Sequence, residues 1–280
     1  MRPLPRIMVA PNGARLTKKD HPGVPVTIPE VVATARACAA EGADGLHAHV
    51  RDAAQQHVLD AGLYRELLAE LSSALPGFYA QITTEAVGRY SAVEQRALVR
   101  TIKPEAVSVA LREITEGEGD AETRRFFHEC HEAGIGVQHI LFDEADISHL
   151  ARLVDGGVVP KADLAALIVF GRYSTGQKSA PEDLVGPTDF LSSCFENIDW
   201  AVCAFGELET DCLLAADRLG GKMRIGFENN RLNRDRGNAG DNAERVRELV
   251  ACLSARPDAR AENDSDLIPD PDDRLRHLSI

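Results

Sequence analysis

Eight times along the chain a short apolar, β-rich run gives way to a helix-length pattern, and no other feature limits the fold so severely. The runs are Arg6–Asn12, Gly45–Arg51, Phe78–Thr84, Ala106–Leu111, Gly136–Asp143, Ala166–Gly171, Asp199–Gly206 and Met223–Asn229. Each is rich in Val, Ile, Ala and Phe, the composition of strands buried on both faces. Helical patterns follow near 28–41, 60–75, 91–102, 120–133, 144–155, 186–197, 207–219 and 240–256. Thr27 and Asp241 are suited to begin helices, and the glycines after Glu41, Ala133 and Leu219 to end them.

Eight β-α units at a period of ~25–35 residues predict an α/β fold, a single (β/α)8 TIM barrel with its site at the C-terminal ends of the strands. The competing doubly wound sheet would carry a GxGxxG nucleotide fingerprint, and no strand is followed by one. A chain of 280 residues could be divided in two on length alone, but one α/β barrel accounts for it. The expected organisation is a barrel over 1–256 and a C-terminal tail over 257–280, acidic and with three prolines, whose composition reads as disordered. Residues 13–27 form a long Gly/Pro/Lys connection after the first strand, on the face where the site should lie.

Composition narrows the function. A net charge of −13 argues against nucleic acid as the main partner, because binding phosphates needs a basic surface. No apolar run approaches the ~18 residues of a membrane span, and no long apolar segment follows the opening Met1–Arg6 as a secretory leader would require. The six cysteines are scattered without a CxxC pair, which suits reduced cytoplasmic thiols rather than a disulfide frame or zinc cluster.

The most informative string is His47-Ala48-His49-Val50-Arg51-Asp52, at the end of the second strand. Side chains two apart on a strand share a face, with Cα atoms ~6.7 Å apart, so both imidazoles can converge on one metal. Core or surface histidines satisfied by hydrogen bonds are the alternative. Strand 8 closes the barrel beside strand 1 and so lies close to strand 2. On it Arg224, Gly226 and Glu228 share a face, which brings a carboxylate near the histidines. Two His and one carboxylate suit Zn²⁺, and also Fe²⁺. A salt bridge from Glu228 to Arg224 or Arg51 is the competing role.

Together Val9–Ala14, His47–Asp52 and Gly226–Asn230 resemble the β-keto acid cleavage enzymes, over about residues 6–255. The resemblance implies a zinc-dependent barrel, usually a homotetramer. It also implies condensation of a β-keto acid with acetyl-CoA to give acetoacetate and a new acyl-CoA. By this resemblance His47, His49 and Glu228 hold zinc, Arg224 supports the catalytic base, and Thr83 and Ser108 match the family's strand-3 and strand-4 hydroxyls. Local backbone bonding is the other use of such hydroxyls.

Three departures from the family pattern bear on the chemistry. The family's general-base Asp is Asn229 here, and an amide cannot take a proton near pH 7, so Asn229 is a candidate for substrate binding instead. The Glu that meets an amino-bearing substrate tail is Arg15, which predicts a neutral or anionic tail instead. The strand-3 Gly-Gly is Glu85-Ala86, which makes Glu85 the substitute candidate for the base. Gly88-Arg89-Tyr90 is echoed by Gly171-Arg172-Tyr173, so Arg89 and Arg172 are candidate anion binders, with Lys178 a further one. His139 and Trp200 read as packed residues. Two other functions stay open: a CoA-independent metal-dependent lyase or hydrolase of a keto acid, and a non-catalytic anion-binding barrel.

Overall fold

A computed structural model describes residues 1–117 and 119–255; the 257–280 tail expected from the sequence lies outside the described residues. Eight parallel strands close into a barrel, each paired with its neighbour in sequence and β8 with β1. They are β1 Ile7–Val9, β2 Gly45–Ala48, β3 Tyr79–Thr83, β4 Ala106–Ala110, β5 Gly136–Leu141, β6 Ala165–Phe170, β7 Asp199–Ala204 and β8 Lys222–Ile225. The helices are α1 Ile28–Ala40, α2 Ala61–Ala74, α3 Ala92–Ile102, α4 Leu111–Ile114, α5 Gly119–Glu132, α6 Glu144–Asp155, α7 Val185–Cys194, α8 Glu209–Arg218 and α9 Asn242–Ser254. All eight expected β-α units are present. The four-residue α4 and a 3-10 turn at Pro181–Leu184 are additions.

Local chemistry sets the boundaries. Thr27 caps α1 by accepting from the Glu30 N–H, and the Glu30 carboxylate returns to the Thr27 N–H, which satisfies two otherwise orphaned donors. Asp241 caps α9 in the same sense. The strands stop earlier than the apolar runs suggest. After β2 the chain folds back, so that Arg51 bridges His57, and after β8 it turns at Gly226. His49 and Glu228 therefore lie on strand exits, and strand alternation does not describe how Glu228 reaches the site.

Two apolar layers result. Outward strand residues such as Leu46, Ile82, Val107, Ile168 and Val202 pack under the helices in the main core. Inward residues including Met8, Tyr79, Leu167, Val169, Ala201 and Phe205 fill part of the lumen. The rest of the lumen is polar, with His47, Gln81, Ser108, Gln138 and Arg224 all buried. His139 packs on Phe127 outside the strands, and Trp200 is half-buried against the core. All six cysteines are free, and no helix among the described residues is long and apolar enough to cross a membrane.

Candidate metal and active site

His47 lies on β2 in register with Gln81 of β3, so their inward side chains meet. The His47 Nδ1 is 2.9 Å from the Gln81 Oε1, the Gln81 Nε2 donates to the Gln138 Oε1 at 3.0 Å, and the Gln138 Nε2 donates to the Ala166 carbonyl at 3.2 Å. A backbone carbonyl can only accept, so it orients both amides in turn. The last oxygen in the row then accepts from His47 Nδ1–H, which leaves the Nε2 lone pair free for the cavity.

His49 is held from the other side. Asn12 accepts from its N–H at 3.4 Å and donates to its carbonyl at 2.9 Å and to that of Pro25 at 3.1 Å. The two imidazole Nε2 atoms are 3.2 Å apart, and each is 3.6 Å from the Glu228 Oε2. The turn carrying Glu228 needs two glycines. A Cβ on Gly226, at φ +142°, would come within 2.4 Å of the Ala10 carbonyl oxygen. One on Gly13, at φ +56°, would come within 2.6 Å of the Glu228 Cγ. Beneath the turn, the fully buried Glu209 accepts from the Gly226 N–H at 3.2 Å and from Arg245 at 2.9 Å.

The electrostatics match a cation site. Burial, with help from the Arg224 charge, holds His47 down to about 4, and burial holds His49 well below its ordinary value, so both rings are neutral near pH 7. Burial opposes the charge of Glu228, but Arg224 first and then the imidazoles hold the carboxyl well below 4.5. Its Oε1 accepts from Arg224 at 3.3 Å, while Oε2 is buried without a hydrogen-bond partner. Glu228 thus keeps one oxygen for each of the two expected roles, Oε1 towards Arg224 and Oε2 towards the imidazoles. Two lone-pair nitrogens and an unpartnered carboxylate oxygen, all within 4.8 Å of one another, are donors of the kind that suit a divalent metal.

Around this centre opens a cavity lined by Thr83, Glu85, Glu113, Arg172 and Arg224, and by apolar side chains from β4–β7. Burial and then the nearby Glu228 charge push Glu85 up to about 7, against the pull of Arg15. Its carboxylate is 3.0 Å from Arg15, 3.7 Å from Arg172 and 3.8 Å from the His49 Nδ1. The Thr83 Oγ1 accepts from the Glu85 N–H at 3.1 Å and still lines the cavity. Ser108, paired with Thr83 in register, is not part of the cavity lining, and its hydroxyl is buried and without a partner among the described residues.

Other candidates are used elsewhere. Arg89 lies over the Tyr90 ring and reaches the His57 carbonyl, so only Arg172 of the two echoed arginines lines the cavity. The Asn229 amide donates to Glu209 at 3.0 Å and to the Arg224 carbonyl at 3.1 Å, and it accepts from the Cys203 thiol at 3.0 Å. These bonds commit it to the wall. Lys178 is exposed and follows Gly176 and Gln177, which line a wider groove of about 470 Å³. Arg51, the other expected partner of Glu228, donates instead to the carbonyls of Asn12, Gly13, Ala14, Leu16 and Gln55, which shapes the loop over the site.

Residues 6–263 match the beta-keto acid cleavage enzyme family, BKACE. The chain belongs to that family. It is 26% identical over 231 residues to the 3-keto-5-aminohexanoate cleavage enzyme of Acetoanaerobium sticklandii, covering 80% of this chain and 82% of the relative. It is 30% identical over 104 residues to the 3-oxoadipate:acetyl-CoA acetyltransferase of Cupriavidus necator, covering 37% and 36%. Among solved structures, the binary complex of ObcA with oxaloacetate superposes with a TM-score of 0.63 at 14% identity. That match covers 83% of this chain but only 63% of ObcA, and it bears on the barrel fold alone.

Sequence reasoning missed Gln81, Gln138, Asn12, Glu113 and Glu209. A signal existed for the first two, since an amide at an inward position of an apolar strand needs a polar partner in the lumen. Glu209 gave none, because its partners converge from β8 and α9.

Proposed function

We propose that this BKACE-family chain is a zinc-dependent enzyme that condenses a β-keto acid with acetyl-CoA to give acetoacetate and a new acyl-CoA. The convergence of His47 Nε2, His49 Nε2 and Glu228 Oε2 around one point carries the proposal. Zn²⁺ held by these three would act as a Lewis acid, neutralising negative charge that develops on the substrate's oxygens. Glu85 takes the α-proton. Its raised value of about 7 suits a base working near neutrality. The α-carbon then attacks the acetyl thioester and CoA leaves as thiolate. The thiolate attacks the original keto carbon, the old carbon–carbon bond breaks, the carbanion so released takes back the proton held by Glu85, and the products separate as acetoacetate and acyl-CoA. Thr83 and Arg224 line the cavity as donors for the oxyanions, with Ser108 paired to Thr83 in register. Arg15 and Arg172 pair with Glu85 at the rim. Likeness to the acetyltransferase supports the use of acetyl-CoA. The family resemblance supports a homotetramer, and the free cysteines support work in the cytoplasm.

The test is an assay of the full chain loaded with Zn²⁺, given β-keto acids with and without acetyl-CoA. The expected result is equal formation of acetoacetate and acyl-CoA only when acetyl-CoA is present. Product without acetyl-CoA would instead identify a lyase or hydrolase, and binding without turnover an anion-binding barrel.

A further inference from the structure

We propose that the β-keto acid taken by this site carries an uncharged, aliphatic tail. This inference rests on the cleavage reading above and adds the chemical class of the substrate. The metal-ligand set occupies the β8–β2 side of the mouth, so an acid anchored there directs its far end towards the opposite wall. That wall is Ala110, Ile140, Phe142, Val169 and Phe205, contributed by the exits of β4 to β7. Phe142 is held edge-on against Tyr173, and Arg112, bonded to Asp143 and Asp146, lies over the Phe142 ring. The apolar surface is thus fixed in place before any ligand arrives.

The charges at this end are already matched. Arg15 and Arg172 both face Glu85, at 3.0 and 3.7 Å, and Arg172 also lies 5.1 Å from the centre of the Phe205 ring. Glu113 accepts the Ala86 N–H at 3.0 Å, and burial pushes its carboxyl above the usual carboxylate range, which weakens it as a partner for a cationic tail. A cationic tail would have to displace Arg15 from Glu85, and an anionic tail would have to draw an arginine off it. Either exchange trades an existing ion pair for a new one, so a charged tail gives up its hydration for little net gain. A hydrocarbon tail instead gains ~25 cal/mol for each Å² of apolar surface buried. The Arg15 that replaces the family's acidic residue therefore serves Glu85 rather than the tail.

Three acids with the same six-carbon skeleton test this on the zinc-loaded full chain with acetyl-CoA: 3-oxohexanoate, 3-oxoadipate and 3-keto-5-aminohexanoate. The expected kcat/KM for the uncharged acid exceeds that for either charged one by at least about tenfold. Ile140→Asp should narrow that ratio while leaving bound zinc unchanged. A charged acid equal to or better than 3-oxohexanoate overturns this inference and leaves the cleavage reading standing. Turnover of none of the three contradicts the cleavage reading and this inference with it.

Discussion

The two halves of the barrel mouth are made from the same kind of position, the inward residues at strand exits, yet they hold opposite chemistry. On the β8–β2–β3 side every such side chain is polar and fixed by a partner. His47 is fixed by Gln81, His49 by Asn12, and Glu228 by Arg224 and the Glu209-supported turn. On the β4–β7 side they are Ala110, Ile140, Phe142, Val169 and Phe205, with Glu113 and Arg172 reaching the cavity from further along the chain. The first half must keep lone pairs and charges in one arrangement, and a hydrogen bond fixes direction as packing cannot. The second half excludes water and sets shape, for which packing suffices. In an eight-stranded barrel both can be built at once because neighbouring strands are independent in sequence.

The comparison predicts that substitutions in the polar half change rate or metal affinity without reordering substrates. Glu85→Gln should have the larger effect, lowering kcat/KM by ~10²–10⁴-fold for all three acids alike, with zinc retained. The wild type should gain activity as pH rises through about 7, because the deprotonated carboxylate is the base and protonation below that value removes it. The same limb should be absent from the Glu85→Gln profile. A silent substitution, or an unchanged limb, would remove Glu85 from the chemistry. Glu85→Gln also loosens Arg15 and Arg172, so a gain on 3-oxoadipate relative to 3-oxohexanoate would show that the halves are coupled.

A smaller effect is expected at Gln138, which never touches a ligand and acts on His47 through Gln81. Gln138→Met preserves size but frees the Gln81 amide to turn. Zinc affinity should fall by about 10-fold, the lower end of the ~10–100-fold typical of partners behind metal ligands. Nitrogen-15 chemical shifts of the histidines in the metal-free protein should show His47 losing its fixed Nδ1–H form. Unaltered shifts and affinity would mean that the amide row is packing alone.

How far the site was legible in the sequence follows from the same division. The eight β-α units were legible because each strand run is apolar and each helix has its punctuation, as at Thr27, Glu41–Gly42 and Asp241. The histidine pair was legible because two-residue spacing maps directly onto one strand face. Glu228 was found on a premise the structure corrects, since it reaches the centre from a turn made possible by Gly226 and Gly13 rather than along a strand. The Arg89–Arg172 echo misled for a related reason, because identical tripeptides on different loops meet different neighbours. Asn229 could be read as a lost base but not as a wall residue, because Glu209 and Cys203, which hold it, are distant in sequence.

The account rests on a metal at the convergence of His47, His49 and Glu228. Metal analysis of the purified full chain, beside folded His47→Ala and Glu228→Gln variants, tests it most directly. The prediction is one equivalent of zinc per chain in the wild type and a loss of most of it in both variants, with the barrel's circular dichroism retained. Undiminished metal in His47→Ala, or a wild type that binds none, would contradict it.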